Sequence, residues 1–283
     1  MVKGQTLKIR EVLNPDFGKA FKRISNALHM YSPNWVEWVD GGEDISLIHV
    51  VGGEEYETLQ NNPNRIVVQH CYETAYYDVI DWPSEWEKSI LTVAFRDLSL
   101  VTNKKFNFCH TPWGAEETLF FNTGVEKDID VFTTGHIAST ENIDNVVGAA
   151  IMTGKVVYHT GEDFKYNRAH YKYLPYMSDT QYSAILNRAK YISCLREIEG
   201  FELAGVEGLF CGAVPIVPNL PTYDWYSGFA VKVDMKDNVL LQVADIISRD
   251  PKTLVNPDMN KAHELFDWKN IVANIFRDLE KYV

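Results

Sequence analysis

The sequence predicts an α/β protein of two Rossmann-like domains, each a parallel sheet covered by helices, on three observations. Short apolar, β-branched runs alternate with stretches of helical period along the chain. The 283 residues, 46% of them hydrophobic, suffice for two cores, since domains run to about 100–200 residues. A polar stretch, Thr123-Gly124-Val125-Glu126-Lys127-Asp128, separates one α/β series from the next. The expected division is 1–127 and 128–283, with a cleft between the domains.

In the first half the strand candidates are Leu7–Val12, Ile45–Val51, Arg65–His70 and Leu98–Thr102. A helix is expected from Trp82, with Pro83 in its first turn and Trp82, Trp86, Ile90 and Val93 on one face. The second series opens with a strand at Val131–Thr134. Ile143, Val146, Val147, Ala150 and Ile151 then recur at spacings of three and four, marking an amphipathic helix. A strand at Val156–His159, a helix over about Asp179–Ala189, a strand at Tyr191–Leu195, a helix over about Glu202–Cys211 and a strand at Val214–Val217 follow, with Gly212 placed to end the last helix. Asp267 is suited to cap a terminal helix whose Trp268, Ile271, Val272, Ile275, Phe276 and Leu279 form one face, and this helix is expected to dock back on a domain.

A formal charge of -12 disfavours a nucleic acid partner, which would select for a basic face. The first residues lack the apolar stretch of a signal peptide, and no apolar run approaches the ~20 residues of a spanning helix. Cys71, Cys109, Cys194 and Cys211 are scattered without a C-x-x-C pair and read as free thiols, so a cytoplasmic location is expected. Asp128-Ile129-Asp130 precedes a strand rather than ending one, so no metal is expected to take part.

The stretch from Glu199 to Val217 sits where a strand hands over to a helix. In open α/β sheets ligands collect beyond the carboxyl ends of strands, and a helix start offers unpaired N–H groups and a positive dipole end. Glu199 before the helix and Glu207 within it are placed to bracket a ligand, since carboxylates accept strongly from hydroxyls. Spacing alone does not overturn the plainer reading, in which two such acids cap a helix or face solvent.

The segment, with its Cys211-Gly212-Ala213-Val214-Pro215-Ile216-Val217 ending, resembles the E-x7-E motif of retaining GT-B glycosyltransferases, glycosyltransferase family 4 in particular. Pro112-Trp113-Gly114 through Phe120, and Phe266-Asp267-Trp268, are similar to further family stretches. The resemblance implies a GT-B fold and transfer of a sugar from a nucleotide-diphosphate sugar, a UDP-sugar first of all, with retention and without a metal. By it Glu199 contacts the transferred sugar, Glu207 binds the donor ribose, and the backbone of Gly200, Phe201, Glu202, Leu203 and Ala204 meets the diphosphate. His70 matches a family histidine facing the donor sugar and is the second catalytic candidate beside Glu199.

One feature departs from the family. An Arg and a Lys are expected after the first strand of the second domain to neutralise the diphosphate, whereas Gly135 is followed by His136, Thr140 and Glu141. Lys165 and Arg168, after the strand Val156–His159, are the expected substitutes, with His136 a further phosphate contact. The acceptor is left open between a glycan, a small molecule and, less readily, modified DNA. The missing cations also keep open a non-catalytic nucleotide-sugar-binding module, and a DNA-base-modifying glucosyltransferase is a further alternative.

Overall fold

The structure, a computed structural model, describes residues 6–16, 18–53, 55–70, 80–135, 139–163, 165–166, 169–197 and 201–283. The chain divides into two compact units, Met1–Trp113 with Trp268–Val283, and Gly114–Asp267.

The first unit holds a parallel sheet of β1 (Leu7–Val12), β2 (Val36–Trp38), β3 (Ile45–Val50), β4 (Arg65–Gln69), β5 (Leu91–Ala94) and β6 (Phe108–His110). They lie in the order β2-β1-β3-β4-β5-β6. β3, β4 and β5 are buried along their whole length, as expected of central strands covered on both faces. Helix α1 (Lys19–Tyr31) turns Ile24, Ala27 and Leu28 inward, α2 (Tyr56–Asn61) buries Leu59, and α3 (Trp82–Glu87) buries Trp82 and Trp86.

Two readings of this half are corrected. Leu98–Thr102 is no strand: Leu98–Leu100 is a 3-10 turn whose Asp97 side chain accepts from Ser99 N at 3.0 Å. The helix from Trp82 stops at Glu87, so Ile90 and Val93 are not on its face. Ile90 N instead donates to Arg65 O at 2.9 Å, and Val93 pairs with Val68 in the sheet.

The second unit holds β7 (Ile129–Gly135), β8 (Val157–Gly161), β9 (Tyr171–Leu174), β10 (Ala189–Ser193), β11 (Val214–Pro218) and β12 (Val231–Val233), again all parallel, in the order β12-β11-β10-β7-β8-β9. The covering helices are α4 (Ile143–Thr153), α5 (Asp179–Arg188), α6 (Leu203–Phe210), α7 (Val239–Ile247), α8 (Pro251–Leu254) and α9 (Met259–Phe266). α4 packs on α7 over Val131, Val146, Val147 and Val243, all buried. Ser178 and Gln181 form a reciprocal capping box at the start of α5.

The boundary falls at Trp113/Gly114 rather than at Lys127/Asp128, because the intervening segment is bonded into the second unit. Ser183 Oγ donates to Leu119 O at 2.7 Å and Asn187 Nδ2 to Phe121 O at 3.0 Å, while Thr123 N donates to Asn187 Oδ1 at 2.8 Å. The terminal helix α10 (Trp268–Leu279) docks back as its pattern predicts, but on the first unit. Its six expected core residues are all buried, it packs against α1, β5 and β6, and Phe276 meets the rings of Trp35 and Trp38 edge-on.

Candidate active site

Strand order locates the crevices. In the second sheet the chain runs outward from β7 to β8 and β9, then returns to place β10 on the other side of β7. Helices connecting outward in opposite directions leave a gap beyond the carboxyl ends of β7 and β10, where ligands of doubly wound sheets collect.

Arg196 stands at that point, three residues beyond the end of β10. Its Nη2 donates to Thr134 O and Thr134 Oγ1, both at 3.1 Å, its Nε lies 2.7 Å from Glu141 Oε2, and its Nη1 lies 3.1 Å from Glu202 Oε2. The side chain is 20% exposed, so these contacts hold it while part of it still meets solvent. The loops around it are tied together: Asn142 Nδ2 donates to Leu195 O at 3.1 Å and Glu197 N to Thr140 O at 3.0 Å.

The floor beside Arg196 is made of glycine. Gly135 and Gly161 end adjacent strands in register, with φ of 142° and 125°. A side chain on Gly135 would overlap the Glu141 carboxylate, and one on Gly161 would overlap the carbonyl oxygen of Gly135. Behind them His159 is buried, its Nδ1 2.8 Å from Thr133 Oγ1, and burial lowers its pKa to about 4, so it is neutral at pH 7.

Helix α6 starts at the same edge. Glu202 is its N-cap, accepting from Ala204 N at 3.2 Å, and its carbonyl accepts from the buried Tyr226 hydroxyl. All eight residues of α6 are buried, including Glu207 one turn in. A carboxylate so placed is costly unless bonded, and its position on a fully buried helix rules out the solvent-facing alternative that spacing alone allowed.

The residues predicted from sequence divide accordingly. Phe201, Glu202, Leu203, Ala204 and Glu207 cluster at the start of α6, where Phe201 stacks on Tyr226 with centroids 5.8 Å apart. Lys165 lies past the carboxyl end of β8, exposed, with φ of 56° and its backbone N bonded to Asp163 Oδ1 at 3.0 Å. His136, Arg168, Glu199 and Gly200 lie outside the described residues. The sequence reading passed over Arg196, although its place between the strand Tyr191–Leu195 and the acidic motif was a readable signal. Among the described residues no group of three or more His, Cys, Asp or Glu is disposed to hold a metal ion, and Asp128 and Asp130 pair with Arg188 and Lys190 at 2.6 and 3.0 Å.

The first sheet has its own switch point, between β1 and β3. Glu11 near the end of β1 accepts from His49 Nε2 on β3 at 2.7 Å, from His29 Nε2 at 3.0 Å and from Ser25 Oγ at 2.6 Å. His49 Nδ1 in turn lies 2.8 Å from Nε2 of His70, which follows β4. Glu11 accepts from His49 Nε2, and a single hydrogen bond joins His49 Nδ1 to His70 Nε2, so the three side chains form one largely buried relay. Burial, and then the charge of His49, push His70 well below the ordinary imidazole pKa. The sequence singles out His70 but not Glu11 and His49, whose meeting with it depends on strand order.

No protein-family model matches the chain, and no curated protein matches it. Solved structures do share its fold. The sucrose-phosphate synthase from Thermosynechococcus elongatus superposes with a TM-score of 0.75 over 98% of this chain and 99% of that one, at 12% identity. AviGT4, a glycosyltransferase involved in avilamycin A biosynthesis, gives 0.67 over 98% of both chains at 11% identity. Anabaena HepE, solved in complex with UDP and glucose, gives 0.66 over 97% of this chain and all of that one (100%), at 10% identity. This is the GT-B fold. Among the described residues of this GT-B chain no helix is long and apolar enough to cross a membrane.

Proposed function

We propose that this GT-B chain is a glycosyltransferase that moves a sugar from a UDP-sugar to an acceptor hydroxyl, retaining configuration and needing no metal, with the donor bound by the second unit. The observation that carries the reading is the ion pair of Arg196 with Glu202 at the start of α6, the helix that also carries the buried Glu207, beyond the ends of β7 and β10. Arg196 supplies the cation missing after β7, and with the N–H groups of α6 it neutralises a diphosphate. Glu207 takes the ribose hydroxyls and Glu199 the transferred sugar, as the E-x7-E resemblance implies. HepE, bound to UDP and glucose, supports the donor class.

In the transfer the acceptor oxygen bonds to the anomeric carbon while the bond from that carbon to the diphosphate oxygen breaks. The acceptor proton passes to the leaving phosphate, whose charge Arg196 and α6 stabilise. The test is calorimetric titration of UDP into wild type and Glu207→Gln, followed by product analysis with UDP-glucose, EDTA and a panel of acceptor sugars. Binding lost in the variant and an α-linked product formed in EDTA are the expected results. UDP binding that is indifferent to Glu207 would end the assignment.

Glu141 and Glu202 already flank Arg196, which favours one second reading, a module that binds a nucleotide sugar without turning it over. UDP-sugar binding with neither transfer nor hydrolysis across the panel would select it.

A further inference from the structure

A cavity of about 1190 Å³ opens at the amino-terminal edge of the second unit's sheet, the edge opposite the strand ends that lead to Arg196. Its charged lining is mostly cationic, five cations to one carboxylate, Asp250: Lys127 just ahead of β7, Lys155 ahead of β8, Lys190 at the start of β10, and Arg249 and Lys252 around the start of α8. The carboxylates close to these five are fewer. Asp130 lies 3.0 Å from Lys190 and 3.7 Å from Lys155, Asp245 lies 2.8 Å from Arg249, and Asp250 caps α8. In a chain of net charge -12 the local sign is therefore inverted.

Lys127 is the most telling of the five. It is partly buried, its ammonium donates to Cys211 O at 2.8 Å, and it makes no ion pair among the described residues. Burial pulls its pKa down to about 8, the mark of a cation whose surroundings do not compensate its charge. The cavity's other wall is apolar, with Phe121 and Val125 at 51% and 48% exposure although both are large hydrophobic residues.

We propose that this cavity binds a phosphorylated small molecule, its phosphate among Lys127, Lys155 and Lys190 and its organic part against Phe121 and Val125. A phosphate returns to Lys127 the charge-assisted bonds that burial removed. The site is separate from the β7/β10 crevice and stands whether or not that crevice binds a UDP-sugar.

The test is calorimetric titration of AMP into the full chain as wild type, Arg196→Gln, Lys127→Met and Lys252→Glu. Binding that survives Arg196→Gln and weakens about tenfold or more in Lys127→Met is expected. The exposed Lys252 tolerates charge reversal without loss of fold, so a several-fold weakening in Lys252→Glu is expected even if Lys127→Met fails to fold. No heat of AMP binding to the wild type at about 1 mM ligand, a range in which weak small-molecule affinities fall, would overturn the proposal. So would binding abolished by Arg196→Gln and untouched by the lysine variants.

Discussion

One carboxylate holds both the start of a helix and the cation beside it: Glu202 Oε1 accepts from Ala204 N at 3.2 Å, while its Oε2 lies 3.1 Å from Arg196 Nη1. The position of the guanidinium is thereby tied to the position of the α6 N–H groups. An anion bound in the crevice would meet both as one fixed array, with little reorganisation on binding.

Arg196→Gln should therefore cost stability as well as ligand affinity. It leaves the buried Glu202 and the neighbouring Glu141 without their cation, a change worth about 2–4 kcal/mol. Adding Glu202→Gln removes the charge left stranded, so the double variant should recover part of the loss, with a coupling of about 1–3 kcal/mol. Urea unfolding of the four proteins in the cycle measures it, and additive losses would show that the two residues do not act together. UDP affinity should fall about tenfold or more in Arg196→Gln.

The parts of this arrangement differ in how far the sequence disclosed them. α6 and α10 are legible because each is a dense apolar pattern of helical period, and the six inward residues of α10 are those its spacing marks. Leu98–Leu100 misled because a short apolar run beside Asp97 suits a capped turn as well as a strand, and only pairing decides between them. The unit that α10 packs on was not legible either, since an apolar face specifies burial but not a partner. Of the site residues, Phe201 to Glu207 come from one continuous segment and were found together. Glu11 on β1, His49 on β3 and His70 just past β4 meet only through the sheet order.

The buried histidines and Glu11 make stability fall with acid, in two stages. His70 and His159 bind protons less readily in the folded chain, His159 down to about 4. Below the ordinary imidazole value of about 6.5 the unfolded chain takes up protons that the folded chain refuses, so their contribution is full above that pH and is lost below it. For Glu11, burial would raise the pKa, but the bonds from His29 and His49, the charge of His49 and the Ser25 hydroxyl together hold it well below the ordinary 4.5. Its contribution is full above 4.5 and is lost as the pH falls further. Unfolding free energies from urea titrations should thus decline from about pH 6.5 downward, by up to ~1.4 kcal/mol per pH unit for each proton, and continue to decline below about 4.5. His159→Gln should flatten the first stage, and Glu11→Gln the second.

Arg65 and Glu85 form a buried ion pair at 2.6 Å, with side chains 4% and 3% exposed. Arg65 Nη1 also donates to Leu59 O at 2.7 Å, and Lys88 Nζ reaches Glu85 Oε1 at 2.8 Å, so the pair joins the ends of α2, β4 and α3. Glu85→Leu alone strands a buried guanidinium and should cost about 3–5 kcal/mol, whereas Arg65→Met with Glu85→Leu should cost markedly less. Thermal denaturation of both variants decides the point: equal losses would mean that packing, not charge, governs the site.

The contact of Gly161 with Gly135 gives the sharpest local test. Gly161 has φ of 125°, a region closed to side chains, and a Cβ there would overlap the carbonyl oxygen of Gly135 on the neighbouring strand. Backbone cannot swing aside as a flexible side chain would, so Gly161→Ala must separate the ends of β7 and β8. That displaces Thr134, whose carbonyl and hydroxyl hold Arg196 Nη2, and so the strain reaches the crevice. We expect a loss of about 2 kcal/mol or more in urea unfolding, together with weakened UDP binding. Gly135→Ala offers the comparison, because the Glu141 carboxylate it would strike is a side-chain end able to yield, so its stability loss should be the smaller of the two. The reverse order would mean that the close approach of the two strands is not what demands glycine at 161.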